Sequence, residues 1–286
     1  MTKRKALVVG GSGFIGRYVV RNLQASAGWE AVDARPLGLD LLDVASVGRV
    51  VDTIRPDAII NLAAVSTLDQ SNIPLIYRLN ALAIVEVLDW LRKVGFTGRF
   101  VNTSSSLVYG MNTPRPISED DPLDPVHHYA IAKAAADRCS LNFIGEVDVV
   151  VARVFNCIGR DHAASFVVPK IVAHFRDRRP SIELGDTTNR RDFVDVRDLA
   201  RMYEAVIDAG HAPPVVNFCS GRATSIDDLI GILEVLTRHH LDVVRNPAFM
   251  RKTDSPVVCG RNDRLAALGF SCRHELSDTL RWMLDA

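Results

Sequence analysis

The stretch KALVVGGSGFIG, residues 5–16, decides the fold class. It opens with a continuous apolar run, which is typical of a strand buried on both faces of a parallel sheet. Glycines follow at Gly10, Gly13 and Gly16, and a helical pattern then continues to about Gln24. In such a loop the first glycine allows a tight turn, the second lets the backbone approach a pyrophosphate, and the third lets the helix pack on the strand. The stretch therefore predicts a dinucleotide site at the N-terminus of a helix.

Strand and helix patterns alternate after this loop. Strands are predicted at WEAVDA, AIINLAA, GRFVNTSSS and VDVVVARVF, with helical patterns between them. This order predicts an α/β fold with a Rossmann-type, doubly wound parallel sheet. The pattern loosens after residue 155, so we expect a dinucleotide-binding domain over 1–155 and a smaller, mainly substrate-binding α/β domain over 156–286. Residues of about 190–225 are expected to return to the first domain.

Composition excludes several classes of protein. Lysine plus arginine and aspartate plus glutamate both number 34 in 286 residues, which gives no support for a nucleic-acid or anionic-membrane partner. The 5 cysteines are dispersed and form no C-x-x-C pair, as expected of a reduced, cytoplasmic chain. No apolar run is long enough to span a membrane. The 8 histidines show no zinc-type spacing, so no metal is expected.

The segment PVHHYAIAKAAAD, residues 125–137, places Tyr129 and Lys133 four residues apart. On a helix these two side chains lie on one face, one turn apart. Alone, the pair is more typical of an amphipathic surface helix than of a catalytic site. An ammonium nevertheless favours the phenolate form of a neighbouring tyrosine, so the pair also suits proton exchange.

Nine motifs in order decide between these interpretations: GGSGFIG, LDLLD, INLAA, YRLNALA, NTSSSLVYG, YAIAK, ARVFNCIG, RRDFVDVRDLA and NFCSGRATSI. Together they resemble the extended short-chain dehydrogenase/reductase family of nucleotide-sugar enzymes over nearly the whole chain. The resemblance implies an NAD(P)-dependent enzyme in which Tyr129 exchanges a proton with a sugar oxygen and Lys133 tunes it and holds the nicotinamide ribose. It also assigns to Ser105 a second hydrogen bond to that oxygen.

The resemblance implies the remaining cofactor contacts. Besides Tyr129, Lys133 and the three glycines, they are Phe14, Ile15, Asp33, Arg35, Asp40, Leu41, Ala63, Ala64 and Asn80. For Asn80 a structural role, a helix asparagine bonding nearby backbone, stays equally open. Asp33 suits the 2′-hydroxyl of NAD, whereas Arg35 suits the 2′-phosphate of NADP. Both are present, so the cofactor stays open between NAD and NADP, with NADPH slightly favoured.

Substrate contacts are implied for Ser105, Ser106, Asn156, Val168 and Arg191, the last through the diphosphate. Arg190 and Arg197 are expected to be solvated charges with Asp192 and Asp195 as partners.

The residue two positions before Tyr109, in the segment LVYG, indicates which reaction of the family this chain catalyses. Dehydratases of the family carry a glutamate there, whereas this chain has Leu107. The amino-acid sequences of these motifs are most similar to those of the reductase branch of the family, which acts on GDP-4-keto-6-deoxyhexoses, as in GDP-rhamnose biosynthesis. We therefore expect hydride transfer to the C4 ketone of a nucleotide sugar. A nucleotide-sugar 4-epimerase and a dinucleotide-binding sensor or structural relative are the alternatives.

Assembly is suggested by the helix over residues 75–94, which is apolar on more than one face. In the family this helix and the one over 126–145 pair with their mates in a four-helix contact, so a homodimer is expected.

Overall fold

The computed structural model describes residues 2–65, 72–110, 116–249 and 255–285. Its strands are β1 Arg4–Val9, β2 Trp29–Asp33, β3 Ala58–Asn61, β4 Arg99–Ser105, β5 Asp148–Val154, β6 Asn156–Ile158, β7 Ser181–Leu184, β8 Arg190–Asp195, β9 Val215–Phe218, β10 Ala223–Ser225, β11 Asp242–Arg245 and β12 Val257–Val258. Its helices are α1 Phe14–Ala25, α2 Val44–Ile54, α3 Ile73–Tyr77, α4 Ala83–Lys93, α5 His128–Leu141, α6 Val167–Arg176, α7 Val196–Asp208, α8 Ile226–Thr237, α9 Asp263–Ala267 and α10 Leu276–Leu284.

The central sheet contains six strands in the order β2-β1-β3-β4-β5-β9, and every neighbouring pair is parallel. The predicted doubly wound parallel sheet is thus confirmed. The chain moves outward from β1 to β2 and then returns to the other side of β1 with β3. Ligands of such sheets bind outside the carboxyl ends of the strands, where the order reverses. That point lies between β1 and β3.

Alternating side chains of β1 supply both faces of the sheet. Ala6 and Val8 belong to the core on the side of α1 and α7, whereas Leu7 and Val9 belong to the core on the side of α2 and α4. This period of two explains why the strand is apolar without interruption. Burial on both faces makes β1 a rigid support for the glycine loop that follows it.

A third core lies outside the central sheet. Side chains of α6, α8 and α10 pack together there, and β7 pairs with β11 beside them. Helix α8 begins with a capping box in which Ser225 and Asp228 satisfy each other's backbone groups, as its SIDD sequence favours. The division of the chain at residue 155 stays a prediction.

Two elements differ from the sequence prediction. The strand β8, which contains Arg190 and Arg191, is not among the strands that the sequence predicts, because it pairs with β10, β12 and β6, which are short segments distant in sequence. The helix expected over 75–94 is instead α3, a π-helical turn over Arg78–Leu82 and α4. The turn widens the helix at Asn80, and such turns often occur at functional sites.

None of the helices in the described ranges is long and apolar enough to cross a membrane.

Candidate active site

The glycine loop has the geometry that its sequence predicts. Gly10 has φ of 84°, a left-handed conformation that side chains disfavour. A Cβ atom on Gly16 would lie 2.1 Å from the carbonyl oxygen of Gly10, so only glycine lets α1 start this close to β1. Gly13 precedes α1 and provides no side-chain cap. The first backbone N–H groups of α1, from Phe14 and Ile15 onward, are therefore open to an anion, as a pyrophosphate requires.

The ribose end of the predicted cofactor site holds both Asp33 and Arg35. The Asp33 carboxylate lies under the loop, where a Cβ on Gly11 would come within 2.7 Å of its Oδ1 atom. The same carboxylate accepts the backbone N–H of Arg35 at 3.1 Å. The Arg35 guanidinium donates to the Ser12 hydroxyl at 3.1 Å and is exposed. A carboxylate and a guanidinium thus face the same corner, where a dinucleotide 2′-position would lie.

The other predicted cofactor residues line the loops after β2 and β3. The exposed Asp40 carboxylate accepts the Leu42 N–H at 2.9 Å. The Leu41 side chain is buried in the core beside α2, and its predicted contact with adenine stays a prediction. Ala63 follows β3, and a Cβ on Gly10 would lie 2.9 Å from its nitrogen. Because the two strand ends nearly touch, the small, half-buried side chains of Ala63 and Ala64 leave space at this edge.

Asn80 is buried in the π-helical turn. Its side chain bonds both backbone groups of Val65, donating to the carbonyl and accepting the N–H at 3.0 Å each. These contacts are the structural role that the sequence left open. They fix the chain just after β3, and a contact of Asn80 with the cofactor stays a prediction.

Tyr129, Lys133 and Ser105 converge at the carboxyl ends of the strands. Tyr129 and Lys133 lie in α5, and Ser105 ends β4. The Ser105 hydroxyl is close enough to the Tyr129 phenol to lower its pKa. The Lys133 ammonium is buried and donates to the carbonyl oxygen of Thr103 at 2.7 Å. The structure therefore brings together the three residues that the sequence proposes as catalytic.

The charge state of the pair differs from the simple expectation. Burial raises the pKa of Tyr129 to about 12, against the lowering effect of Ser105. Burial also lowers the pKa of Lys133 to about 8. Desolvation disfavours both the phenolate and the ammonium, and the ammonium is directed to a backbone carbonyl. Burial therefore outweighs the stabilisation of the phenolate that the helix spacing suggested, and the phenol is protonated at neutral pH.

The residues after Ser105 form a short 3₁₀ turn, Ser106–Tyr109. The Ser105 oxygen accepts the Leu107 N–H at 3.2 Å and holds this turn. Ser106 is buried, whereas the Leu107 side chain is exposed next to the catalytic serine. Of the carboxylates in the described ranges, Asp137 is the one that acts on the Tyr129 phenol, and it is fully buried.

The other predicted substrate residues, Asn156, Val168 and Arg191, lie on elements other than the strand and turn that contain Ser105 and Ser106. Asn156 begins β6 with an exposed side chain that donates to the Asp192 carbonyl at 3.2 Å. Arg191 is half-buried and donates to the carbonyl of Ser255 at 2.9 Å. The Val168 side chain is buried in the third core, and a substrate contact of this residue stays a prediction. It sits on the inner face of α6, where apolar spacing turns it inward.

Of the two arginines expected to pair with nearby aspartates, Arg197 has the expected partner and Arg190 does not. Arg197 pairs with Asp195 at 2.6 Å. Arg190 pairs with Asp228 at 3.1 Å, a partner more than thirty positions away that the local sequence did not suggest.

Within the part of the chain that the structure describes, Asp192 forms no ion pair with Arg190 or Arg197. It is buried and accepts backbone N–H groups of Ser220, Gly221 and Gly260 at 2.8, 2.9 and 3.2 Å. The expected pairing of Asp192 with one of these arginines is thus wrong, because the strand turns its side chain inward.

Several residues near the site were not predicted from the sequence. His127 caps α5 by accepting the Ala130 N–H at 3.2 Å, and His128 bonds the Tyr77 hydroxyl at 3.0 Å. The His162 ring lies between Phe14 and Phe166 in an aromatic stack. The position of His127 two residues before Tyr129 could have indicated a cap, but the His162 stack depends on tertiary contacts. Within the described ranges, no cluster of three metal-ligating side chains occurs.

Comparison with known proteins identifies the family. Residues 6–219 match the NAD dependent epimerase/dehydratase family. The chain is 33% identical over 303 residues to GDP-6-deoxy-D-mannose reductase of Pseudomonas aeruginosa, which covers 100% of this chain and 97% of the relative.

Solved structures agree with this match. The structure of RMD from Pseudomonas aeruginosa complexed with NADPH is similar, with a TM-score of 0.89, 31% identity and coverage of 99% of this chain and 98% of the other. MoeE5 in complex with UDP-glucuronic acid and NAD has a TM-score of 0.82 and 26% identity, with 98% of each chain covered.

The chain belongs to the NAD dependent epimerase/dehydratase family, the extended short-chain dehydrogenases/reductases. It is an NAD(P)-dependent enzyme of a family of nucleotide-sugar oxidoreductases, epimerases and dehydratases. The open N-terminus of α1 and the glycine cradle fit its dinucleotide, NAD or NADP.

Proposed function

We propose that this enzyme reduces the C4 ketone of a nucleotide 4-keto-6-deoxyhexose, with a GDP-linked sugar as the favoured substrate. The full-length similarity to a GDP-6-deoxy-D-mannose reductase supports the substrate class. The observation that carries the reaction type is the exposed Leu107 beside Ser105.

Leu107 separates reduction from dehydration. Elimination of water needs a base for the proton beside a C4 carbonyl and an acid for the departing hydroxyl. Leu107 cannot titrate, and the neighbouring Ser106 is buried with no titratable group near neutral pH. Asp137 is paired with Arg153 inside the protein and cannot reach a substrate. Lack of a general acid or base costs roughly a hundredfold to ten-thousandfold in rate for each group.

Reduction needs only the groups that the site contains. Tyr129 donates its phenolic proton to the C4 oxygen, and Ser105 donates a hydrogen bond to the same oxygen. The protonated phenol is the form that an acid requires, and its high pKa maintains it. Bound NADPH or NADH supplies the hydride. Lys133, buried beneath Tyr129, is proposed to hold the nicotinamide ribose and to support the phenolate that remains.

The cofactor and substrate contacts are proposed from the same geometry. Arg35 with Ser12 offers donors to a 2′-phosphate, so NADPH is proposed as the preferred form. Arg191 and Asn156 are proposed to bind the substrate diphosphate at the edge of β8 and β6, where a guanidinium suits that anion.

A panel of GDP-, dTDP-, UDP- and CDP-linked 4-keto-6-deoxyhexoses, each with NADPH and NADH, tests the proposal at the nicotinamide absorbance. Consumption of NADPH with the GDP sugar is expected. The 4-epimerase alternative shares all three catalytic residues but retains its cofactor between turnovers. Tightly held NAD in the purified protein, with no net use of NADPH by any ketosugar, would favour that alternative.

We further propose a homodimer in a reducing, cytoplasmic compartment. All five cysteines are free, which fits that compartment. Leu82 and Ile131 are exposed apolar residues on the π-helical turn and α5, which pack against each other. A second copy of the same helices would cover both.

A further inference from the structure

A third polar residue lies beneath the catalytic pair on α5. Tyr129, Lys133 and Asp137 follow one another at intervals of four residues, so they lie along one face of the helix. The Asp137 side chain has 0% exposure, deeper than either of the other two. The proposed reaction does not use this carboxylate, and a buried carboxylate needs a reason to be retained.

Arg153 on β5 holds the carboxylate in place. Its Nε atom donates to Asp137 Oδ2 at 3.0 Å, and both residues are buried. The guanidinium is itself fixed, because it donates to the Tyr109 hydroxyl at 2.9 Å and to the Glu119 carbonyl at 3.0 Å. The Tyr109 hydroxyl in turn donates to Asn217 at 2.6 Å. Asp137 is therefore anchored to the sheet through a charge that cannot move.

The second carboxylate oxygen of Asp137 lies near the buried Ser104 hydroxyl. Burial raises the pKa of Asp137, whereas Arg153, Ser104 and Lys133 oppose this rise by favouring the charged carboxylate. Asp137 is therefore a buried carboxylate whose charge interacts with Lys133 on the same face of α5.

Lys133 is the neighbour on which that charge acts. Its ammonium is buried and donates a hydrogen bond to the neutral carbonyl of Thr103. Burial lowers the pKa of Lys133 to about 8, and Asp137 opposes this lowering. The other ionisable groups around the cluster are Tyr129, Tyr109, Arg153 and Tyr203, which bonds the Thr103 hydroxyl at 2.8 Å. Of the carboxylates in the described ranges, Asp137 is the one that acts on Lys133.

We propose that Asp137 is a positioning residue that keeps Lys133 protonated in its dry site, with Arg153 fixing the carboxylate. Lys133 needs its positive charge to stabilise the Tyr129 phenolate formed when the proton leaves. The proposal rests on the proposed reductase function for its catalytic consequence, but the protonation of Lys133 can be measured without substrate.

The test titrates Lys133 directly by NMR of ¹³Cε-labelled lysine, with the resonance assigned from a Lys133→Arg variant. Asp137→Asn keeps the shape of the side chain and removes its charge. The Lys133 transition is expected to move at least one pH unit lower than in the wild type. The ratio of NADPH-dependent ketosugar reduction at pH 9 to that at pH 6 should fall about tenfold, since one unit changes the protonated fraction by that factor above the transition.

Control variants separate this effect from stability. Asp137→Glu keeps the charge and should titrate near the wild-type pH. Asp148→Asn breaks the Arg99–Asp148 pair, which joins the first residues of β4 and β5 at 2.9 Å, and should leave the titration of Lys133 unchanged. If Asp137→Asn does not fold, the double variant Asp137→Asn with Arg153→Gln replaces the ion pair by neutral amides and should also lower the transition.

An unchanged Lys133 titration in folded Asp137→Asn, or in the double variant, would overturn the proposal. A lowered titration in an enzyme that reduces no ketosugar would support the role of Asp137 and contradict the proposed function. The two failures are therefore distinguishable.

Discussion

At the scale of single residues, the protonation of Tyr129 is decided by its surroundings and not by its neighbour in the helix. The phenol is desolvated, and the Lys133 ammonium that could stabilise the phenolate is desolvated as well. The site therefore starts with a neutral acid, which is the form needed to protonate a ketone. The i and i+4 spacing predicts that the two side chains meet but not which proton state they adopt.

Removing the phenolic hydroxyl tests the role of Tyr129. Tyr129→Phe should leave NADPH binding largely intact and lower kcat roughly a hundredfold to ten-thousandfold, as loss of a general acid does. Ser105→Ala should cost roughly tenfold to a thousandfold through loss of one donor to the reacting oxygen. Steady-state kinetics measure both, with Tyr18→Phe as a control that loses a hydroxyl bonded to Arg160 instead. Near-normal turnover of Tyr129→Phe would show that Tyr129 is not the general acid.

Arg35 tests the proposed preference for NADPH. Arg35→Ala should raise KM for NADPH roughly tenfold to a hundredfold, the size of a charge-assisted hydrogen bond, and leave KM for NADH nearly unchanged. Arg49→Ala, which removes an exposed arginine of α2, is the matched control. Equal effects of Arg35→Ala on the two cofactors would contradict a 2′-phosphate contact.

At the scale of elements, the sequence predicts what depends on local patterns. The β1 strand, the glycine loop and α1 follow from apolar runs and from glycines that only one geometry accommodates. The strands β6, β10 and β12, which pair with β8, cannot be predicted from local patterns, because each is short and pairs with a segment far away in the chain. The buried Val168 shows the same limit, since a motif fixes its position but tertiary packing fixes its direction.

The loop before α6 is joined to the glycine loop by the His162 stack. The His162 ring lies 4.3 Å from the Phe14 ring, with 3° between their planes, and 4.2 Å from the Phe166 ring. Burial lowers the pKa of His162 from 6.5 to about 4. Between these values the unfolded chain binds a proton that the folded protein excludes. Stability from this site is therefore present above about pH 6.5 and lost as the pH falls towards 4.

His162→Phe should keep the stack and remove the titration. The difference in Tm between pH 7 and pH 5 is expected to be smaller in this variant than in the wild type. His211→Phe, at an exposed position, should leave that difference as it is. Differential scanning calorimetry makes the comparison, and an equal loss of Tm in all three proteins would show that His162 is not the titrating group.

At the scale of the whole molecule, most apolar residues of α4 are already covered. Ile84, Val87, Leu88 and Leu91 are buried against the sheet, so the surplus that the sequence indicated is smaller than expected. Leu82 and Ile131 remain exposed, by 56% and 38%. These two are the residues on which a dimer contact would depend.

Light scattering tests that contact. The wild type should give twice the chain mass at micromolar concentration, and a double variant, Leu82→Glu with Ile131→Glu, should give the monomer mass, because it buries charge in the contact. Val235→Glu, which alters an apolar residue of α8 that is 79% exposed, should remain dimeric. A monomeric wild type would exclude the proposed assembly.

Two assays with the same protein sample distinguish the proposed reduction from elimination. The first follows NADPH oxidation with GDP-4-keto-6-deoxymannose, and the second follows formation of a 4-keto product from GDP-mannose. Because Leu107 provides no acid or base, we expect stoichiometric NADPH oxidation in the first assay and no keto product in the second. Keto product from GDP-mannose without net use of NADPH would contradict it.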